Sequence, residues 1–236
     1  MGSPNVPDSS SVSAPESAGE RRARTIAEEL LDIGAVQLQP TDPFTWSSGL
    51  VAPIYCDNRL TISFPRVRRA IRDGFRSILT NASLLPATIA GTATAGIPHA
   101  AWLAEVADQP MAYVRSSAKG HGTGARIEGA IEVGDDVIVL EDLISTGGSA
   151  LDAVAAVREM GATVTAVLAI FSYQLDAAEA AFAEAEVERH VLTDFSVLTD
   201  VAYAQNQLSD AERTVLREWR TDPEAWSLAH GGDAAS

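Results

Sequence analysis

Two adjacent acids, Glu141 and Asp142, run straight into a turn of hydroxyls and glycines, Ser145-Thr146-Gly147-Gly148-Ser149. Four apolar residues, Val137 to Leu140, precede the acids and read as a buried strand, and a helix is expected from about Ser149. In an open α/β sheet, ligands bind at the carboxyl ends of the strands. Glycines there let backbone N–H groups close around a phosphate, and the helix N-terminus adds positive partial charge. Paired acids beside such a loop can hold ribose hydroxyls or a Mg2+ bound to phosphates. The same pattern also suits an ordinary strand–turn–helix with a serine cap and two solvated acids.

A second segment, Arg115 to Arg126, gathers Arg115, Lys119, His121 and Arg126 among three glycines. Lys119 is the only lysine of the chain, whose 17 basic residues face 32 acidic ones for a net charge of −15. Such a local reversal of sign suits a polyanionic ligand, and a glycine-rich lid can close over a site and exclude water. The alternative is a solvated surface loop. Gly120 to Ala125 formally matches a dinucleotide-binding fingerprint, but Arg126-Ile-Glu-Gly129 does not continue as a helix, so that reading is rejected. No Gly-x-x-x-x-Gly-Lys-Ser/Thr phosphate loop occurs.

The elements that must position these residues are of α/β type. Apolar runs at Thr88–Ala90, Ala112–Val114, Val137–Leu140 and Val164–Phe171 read as buried strands, with helices expected over about 97–107, 149–160 and 177–185. That alternation predicts a parallel sheet flanked by helices. Ahead of it, helical spacing from Glu20 places Ile26, Leu30 and Ile33 on one face and stops at Gly34. Pro65 opens an amphipathic helix to Leu79, and Ser209-Asp-Ala-Glu212 is a capping box for a last helix to Arg220. Residues 1–19, rich in Ser and Pro, read as a disordered tail, 20–85 as a helix and N-terminal segment, 86–220 as the α/β core, and 221–236 as a frayed tail.

Composition narrows the function classes. At pI 4.5 the chain is a poor general binder of nucleic acid and is repelled by anionic membranes. A single cysteine, Cys56, excludes a disulfide scaffold and a cysteine-rich zinc site, and with no signal-peptide pattern the expected location is the cytoplasm. The preponderance of Arg over Lys fits either a salt-rich cytoplasm or GC-rich coding.

The strand–EDLISTGGS–helix block resembles the phosphoribosyl-pyrophosphate (PRPP) signature of type I phosphoribosyltransferases. Within that group, FTWSSG with PIYCDNR (44–59), GTATAGIP (91–98) and YVRSSAKGHGTGARIEG (113–129) resemble orotate phosphoribosyltransferases, in the right order. The resemblance implies a type I phosphoribosyltransferase-like fold whose segment before residue 86 forms a hood over the base. It implies Mg2+-dependent transfer of phosphoribosyl from PRPP to orotate, giving orotidine 5′-monophosphate and pyrophosphate in pyrimidine synthesis.

By the same resemblance, Lys119, His121 and Asp142 are the catalytic residues. PRPP is held by Arg115, Lys119, His121, Glu141, Asp142, Leu143, Ile144 and the turn Ser145, Thr146, Gly147, Gly148 and Ser149. Orotate meets Ser145, Tyr55 and Cys56, with Arg59 the candidate for its carboxylate and an Asp57 ion pair the alternative role for Arg59. Mg2+ is carried mainly by PRPP, with Asp142 the protein's candidate ligand. The implied assembly is a homodimer in which loop 115–126 serves the neighbour's site, with no nucleic acid and no membrane as partner. The chain departs from the family where Ser47, Ala95 and Ser116 replace lysines common there, and where Tyr173 or Gln174 replaces an arginine. A purine-type phosphoribosyltransferase and a non-catalytic PRPP-sensing regulator are the alternatives. Outside the site, His99, Trp102 and Trp219 read as packing residues and His190 and His230 as exposed.

Overall fold

The computed structural model of the chain describes residues 15–46, 48–116 and 126–233. Helix α1 (Ala18–Asp32) begins earlier than apolar spacing suggests, and a reciprocal capping box is the reason. Ser17 Oγ accepts from the Glu20 amide at 3.2 Å while the Ser17 amide donates to Glu20 Oε2 at 2.7 Å. Two orphan N–H groups of the first turn are satisfied in this way. The tail assigned to 1–19 therefore ends by Ser17; residues 1–14 lie outside the described residues.

Two small antiparallel pairs follow. Strand β1 (Val36–Leu38) pairs with β4 (Ile54–Cys56), and inside them β2 (Phe44–Thr45) pairs with β3 (Val51–Ala52). A 3-10 helix, Asn58–Ser63, then leads into α2 (Pro65–Asn81), with Pro65 in the first turn where its missing N–H costs nothing.

The core elements alternate: β5 (Thr88–Thr92), α3 (Gly96–Ala107), β6 (Met111–Val114), β7 (Ile127–Glu128), β8 (Asp136–Ile144), α4 (Gly148–Glu159), β9 (Thr163–Ser172), α5 (Asp176–Glu184) and β10 (Glu188–Asp194). Helices α6 (Phe195–Ala204), α7 (Asp210–Thr221) and α8 (Pro223–Ala229) complete the described chain. The large sheet runs β10-β9-β8-β5-β6-β7, parallel except for β7, which turns back on β6. The expected parallel sheet flanked by helices is what forms.

Strand periodicity divides the interior in two. Ile138, Leu140, Leu168 and Ile170 face a core shared with α1, α2, α3 and α6, which contains Ile71, Phe75, Leu103, Phe195 and Trp219. Val137, Val139, Val167 and Ala169 face a smaller core under α4 and α5, closed by Val154, Val157 and Phe182. Each fully buried Leu, Ile or Phe contributes about 1.5–3 kcal/mol relative to exposure, so both faces of the sheet are anchored.

Three features differ from the sequence expectation. Strand β8 continues past the acids to Ile144, because β9 is long enough to pair Leu143 with Phe171 and Ile144 with Ser172. Strand β10 and helix α6 escape the apolar-run criterion because β10, Glu-Arg-His-Val-Leu-Thr-Asp, is an edge strand of mixed polarity. The 221–236 segment is not frayed over its described part, since α8 buries Trp226 and Ser227 and is capped by Asp222, which accepts from the Ala225 amide at 2.9 Å. His190 is half-buried beside Glu188, and Trp102 is half-buried with Arg68 stacked on its ring; neither matches its expected environment.

Gly96 fixes how closely α3 approaches β8: a Cβ there would lie 2.3 Å from the Leu140 carbonyl oxygen and 2.7 Å from Thr92 Oγ1. Gly96→Ala should therefore destabilise the fold by about 3 kcal/mol, as overpacking against backbone does. Gly148→Ala, where nothing stands closer than Thr146 Oγ1 at 4.0 Å, should stay within about 0.5 kcal/mol of the parent. Denaturant midpoints measure both; equal midpoints would show that α3 shifts freely.

Candidate active site

Chain direction reverses between β5 and β8. From β5 the chain crosses through α3 to β6 on one side, and from β8 through α4 to β9 on the other. Such a switch leaves a crevice at the strands' carboxyl ends, the usual ligand position of an open α/β sheet. The acid pair sits there. Glu141 is 5% exposed, and its Oε1 accepts from Thr92 Oγ1 at 2.7 Å and from the Asp142 amide at 3.0 Å. Its Oε2 accepts from Ser149 Oγ at 2.9 Å. One buried carboxylate thereby joins β5, β8 and α4.

Asp142 is half-buried, and its backbone carbonyl accepts from Asn58 Nδ2 at 2.7 Å. Burial pushes its carboxyl well above the ordinary aspartate range, and the Glu141 carboxylate beside it pushes further. An arriving cation or a set of hydroxyl donors would reverse that cost, which is the electrostatic profile of a ligand-binding acid.

The turn after β8 is built for a bound anion. Gly147 has φ +88°, and a Cβ on it would meet the Phe182 ring at 2.8 Å, so only glycine fits. No side chain caps α4, and Ser149, which could stand guard over its first turn, is turned to Glu141. Thr146, Gly148 and Ser149 are exposed. Ile144, by contrast, is buried in the smaller core and can offer a ligand only its backbone.

Two clefts flank the acids. The larger, about 340 Å³, is walled by Tyr55 and Cys56 of β4 and by Leu143 and Ser145 from β8 and its turn. Thr45, Trp46, Ser48 and Tyr173 complete it. The structure thus brings together Tyr55, Cys56 and Ser145, all anticipated, with Tyr173, noted as replacing a family arginine, and adds Trp46, which was not anticipated. The signal for Trp46 was present in the FTWSSG segment, but only the fold shows its ring stacked on Tyr173 at 5.7 Å and edge-on to Trp219 at 6.1 Å. Its Nε1 donates to the Ile54 carbonyl at 3.1 Å, fixing the ring. Burial raises the Cys56 thiol, with the nearby Asp142 and Asp57 charges adding to the effect, so Cys56 is no nucleophile.

Cations are scarce around this cleft. Arg59 does not line it; its guanidinium is exposed and bidentate on Asp57, at 2.6 and 2.9 Å. Tyr173 is buried, and Gln174 Oε1 accepts from the amide and hydroxyl of Ser196 at 3.1 and 2.6 Å. Ala95 caps α3 without a side-chain bond, and Ser47 lies outside the described residues.

The smaller cleft, about 130 Å³, lies between Thr92, Ser149 and the β6–β7 hairpin, with Arg115, Ser116 and Arg126 on its wall. Arg126 is bidentate on Asp152 at 3.1 and 2.5 Å, and Arg115 pairs with Glu128 at 3.5 Å. Lys119 and His121 lie outside the described residues.

Behind the acids, Thr61 Oγ1 donates to the Asn58 carbonyl at 2.6 Å and stands 3.0 Å from His99 Nε2. The hydroxyl has one proton, so Nε2 of His99 donates to it, while Nδ1 is buried without a partner and burial keeps the ring neutral. Burial pushes the His99 pKa down to about 4. His99 is a packing residue, as expected.

No family model matches the chain. It is 53% identical over 208 residues to the orotate phosphoribosyltransferase of Bacillus cereus strain ATCC 10987, covering 87% of this chain and 99% of that relative. The Bacillus cytotoxicus protein of the same name is 52% identical with the same coverage. Among solved structures, Aeropyrum pernix orotate phosphoribosyltransferase superposes with a TM-score of 0.67 at 26% identity, over 78% of this chain and 99% of that one. The Mycobacterium tuberculosis enzyme in complex with PRPP superposes at 0.59 and 25% identity, over 75% and 99%.

The neutral His99 carries a pH signature. Its folded pKa is depressed from 6.5 to about 4, so the unfolded chain takes up the proton first. Its contribution to stability is complete above pH 6.5 and erodes as pH falls to 4, by about 3 kcal/mol in all. His99→Gln, which keeps a donor to Thr61, should flatten the wild-type fall in denaturation free energy over that window. An identical fall in the variant would assign the acid lability to other groups.

Proposed function

Because the chain belongs to the orotate phosphoribosyltransferase family, we propose that its two clefts divide the substrates of that reaction. The chain transfers the phosphoribosyl group of PRPP to orotate in pyrimidine synthesis. In the proposed arrangement orotate lies in the larger cleft, the ribose over Glu141 and Asp142, the 5′-phosphate in the turn 145–149, and pyrophosphate toward the smaller cleft. One observation carries this reading: a half-buried acid at the carboxyl end of β8, between the two clefts and beside an uncapped helix start.

The bond from the anomeric carbon to pyrophosphate breaks with its electron pair leaving on the phosphate, while the orotate nitrogen bonds to that carbon. The sugar passes through an oxocarbenium-like state, so positioning and charge stabilisation are the available levers. Glu141, with both oxygens engaged, acts mainly as the rigid post that aims Asp142 and Ser149. Asp142 faces the ribose hydroxyls and the developing positive charge. Ser149, Thr146 and the amides of Gly147 and Gly148 fix the 5′-phosphate. Arg115, Lys119 and His121 take up the charge that accumulates on departing pyrophosphate. Trp46 and Tyr173 give the base an apolar wall, with Tyr55, Cys56 and Ser145 its polar edge.

The donor set suits Mg2+ brought by PRPP. No cluster of three acidic, histidine or cysteine side chains fit to hold a metal occurs among the described residues, and Asp142 is the acid whose protonation a cation would relieve. When bound, the ion neutralises diphosphate charge. We assign residues 20–85 to the hood and 86–220 to the PRPP-binding core, and a homodimer as the working unit. A cytoplasmic location accords with one free cysteine, and no helix among the described residues is long and apolar enough to cross a membrane.

A base screen tests the assignment. With PRPP and Mg2+, pyrophosphate should be released with orotate but not with uracil, adenine or hypoxanthine; release with a purine alone would overturn it. Shared sites are tested by mixing. Lys119→Ala and Asp142→Asn should each lose activity by orders of magnitude, and co-refolded mixtures should regain roughly a quarter of wild type, because a mixed dimer has one intact site only if loops act across the interface. Mass-verified mixed dimers that stay inactive would refute the shared site.

A further inference from the structure

We propose that the segment after α7 is a clasp that sets the orotate-binding wall, with Ser227 as a positioning residue. The inference rests on the reading that the larger cleft holds the base. That cleft is walled by Thr45, Trp46 and Ser48, all from the β2–β3 hairpin, and a two-stranded hairpin is marginal by itself. Its tip is closed by short bonds, Trp46 N–H to the Leu50 carbonyl at 2.7 Å and Gly49 N–H to the Trp46 carbonyl at 2.9 Å.

What holds the hairpin from outside is α8 and the residues after it. Ser227 is fully buried, and its hydroxyl accepts from the Val51 amide at 2.9 Å and donates to the Asp233 carbonyl at 3.2 Å. The Asp233 amide in turn donates to the Gly49 carbonyl at 3.1 Å. One side chain thus ties the edge strand β3 to the segment that grips the other side of the tip. The fit is close. A Cβ on Gly232 would lie 2.3 Å from Ser227 Oγ and 2.9 Å from the Val51 amide nitrogen, and one on Gly49 would lie 2.6 Å from Asp233 Oδ2. Trp226, also buried, wedges the helix in place. Among the described residues no hydrogen bond of the clasp reaches a residue assigned to PRPP, so it biases one substrate site and leaves the other alone.

Two full-length variants test it. Ser227→Ala leaves the Val51 amide buried without an acceptor, and Gly232→Val drives a side chain into the clasp. Each should raise the orotate KM about tenfold, with kcat and the PRPP KM within about twofold. Amide exchange at Val51 and Asp233 should quicken while β8 and β9 amides keep their protection. An unchanged orotate KM in both variants would overturn the proposal. So would a parallel loss in kcat, both KM values and melting temperature, or failure of both to fold, since each marks a merely structural role. Cys56→Phe, which fills the cleft without touching the clasp, separates the two readings. If it leaves the orotate KM unchanged, the siting of the base is wrong; if it raises that KM while the clasp variants do not, only the clasp is wrong.

Discussion

A buried carboxylate must have its oxygens answered by local hydrogen bonds or its burial costs stability. Glu141 is answered three times, by Thr92, by the Asp142 amide and by Ser149. Those donors come from the end of one strand, from its own strand and from the first turn of a helix. The register of β5 against β8 and the position of α4 are therefore fixed by a single acid. The glycines make the same point sterically, since Gly96 admits α3 to within reach of the Leu140 carbonyl and Gly147 lets the turn pass under the Phe182 ring. The described walls of the crevice are thus set by the protein's own contacts.

The base cleft is assembled differently. Its residues come from β2, β4, the turn after β8 and the end of β9, and its rigidity comes from an aromatic stack rather than a charge. Trp46, Tyr173 and Trp219 pack in a chain that joins the hairpin to β9 and α7. Asn58 adds one polar tie from the 3-10 helix to β8, at the Asp142 carbonyl. The residues around the acid pair are local in sequence, whereas those of the larger cleft are spread along it.

That difference decides what could be read beforehand. The turn 145–149 and the acids are contiguous, so residue types alone point to phosphate and ribose, and the strands that carry them are continuous apolar runs. The larger cleft depends on packing between segments far apart in the chain, Thr45 to Cys56 against Leu143 to Tyr173, which no spacing rule encodes. Arg59 shows the limit: its type suits a carboxylate ligand, but Asp57 two residues earlier takes two of its nitrogens in a bidentate pair. Edge strand β10 was invisible because half of its residues meet solvent or helix α1. Helix α8 was missed because small and polar residues dominate around its buried Trp226.

The aromatic stack also gives the molecule an optical property. Trp46 stands in the wall of the larger cleft with its ring on Tyr173, whereas Trp102 sits on α3 beside His99 and Arg68. Tryptophan emission depends on what lies against the indole. Under the proposed siting of the base, a conjugated ring entering the cleft would contact Trp46 and leave Trp102 in its present surroundings, so the two indoles would respond differently to its arrival.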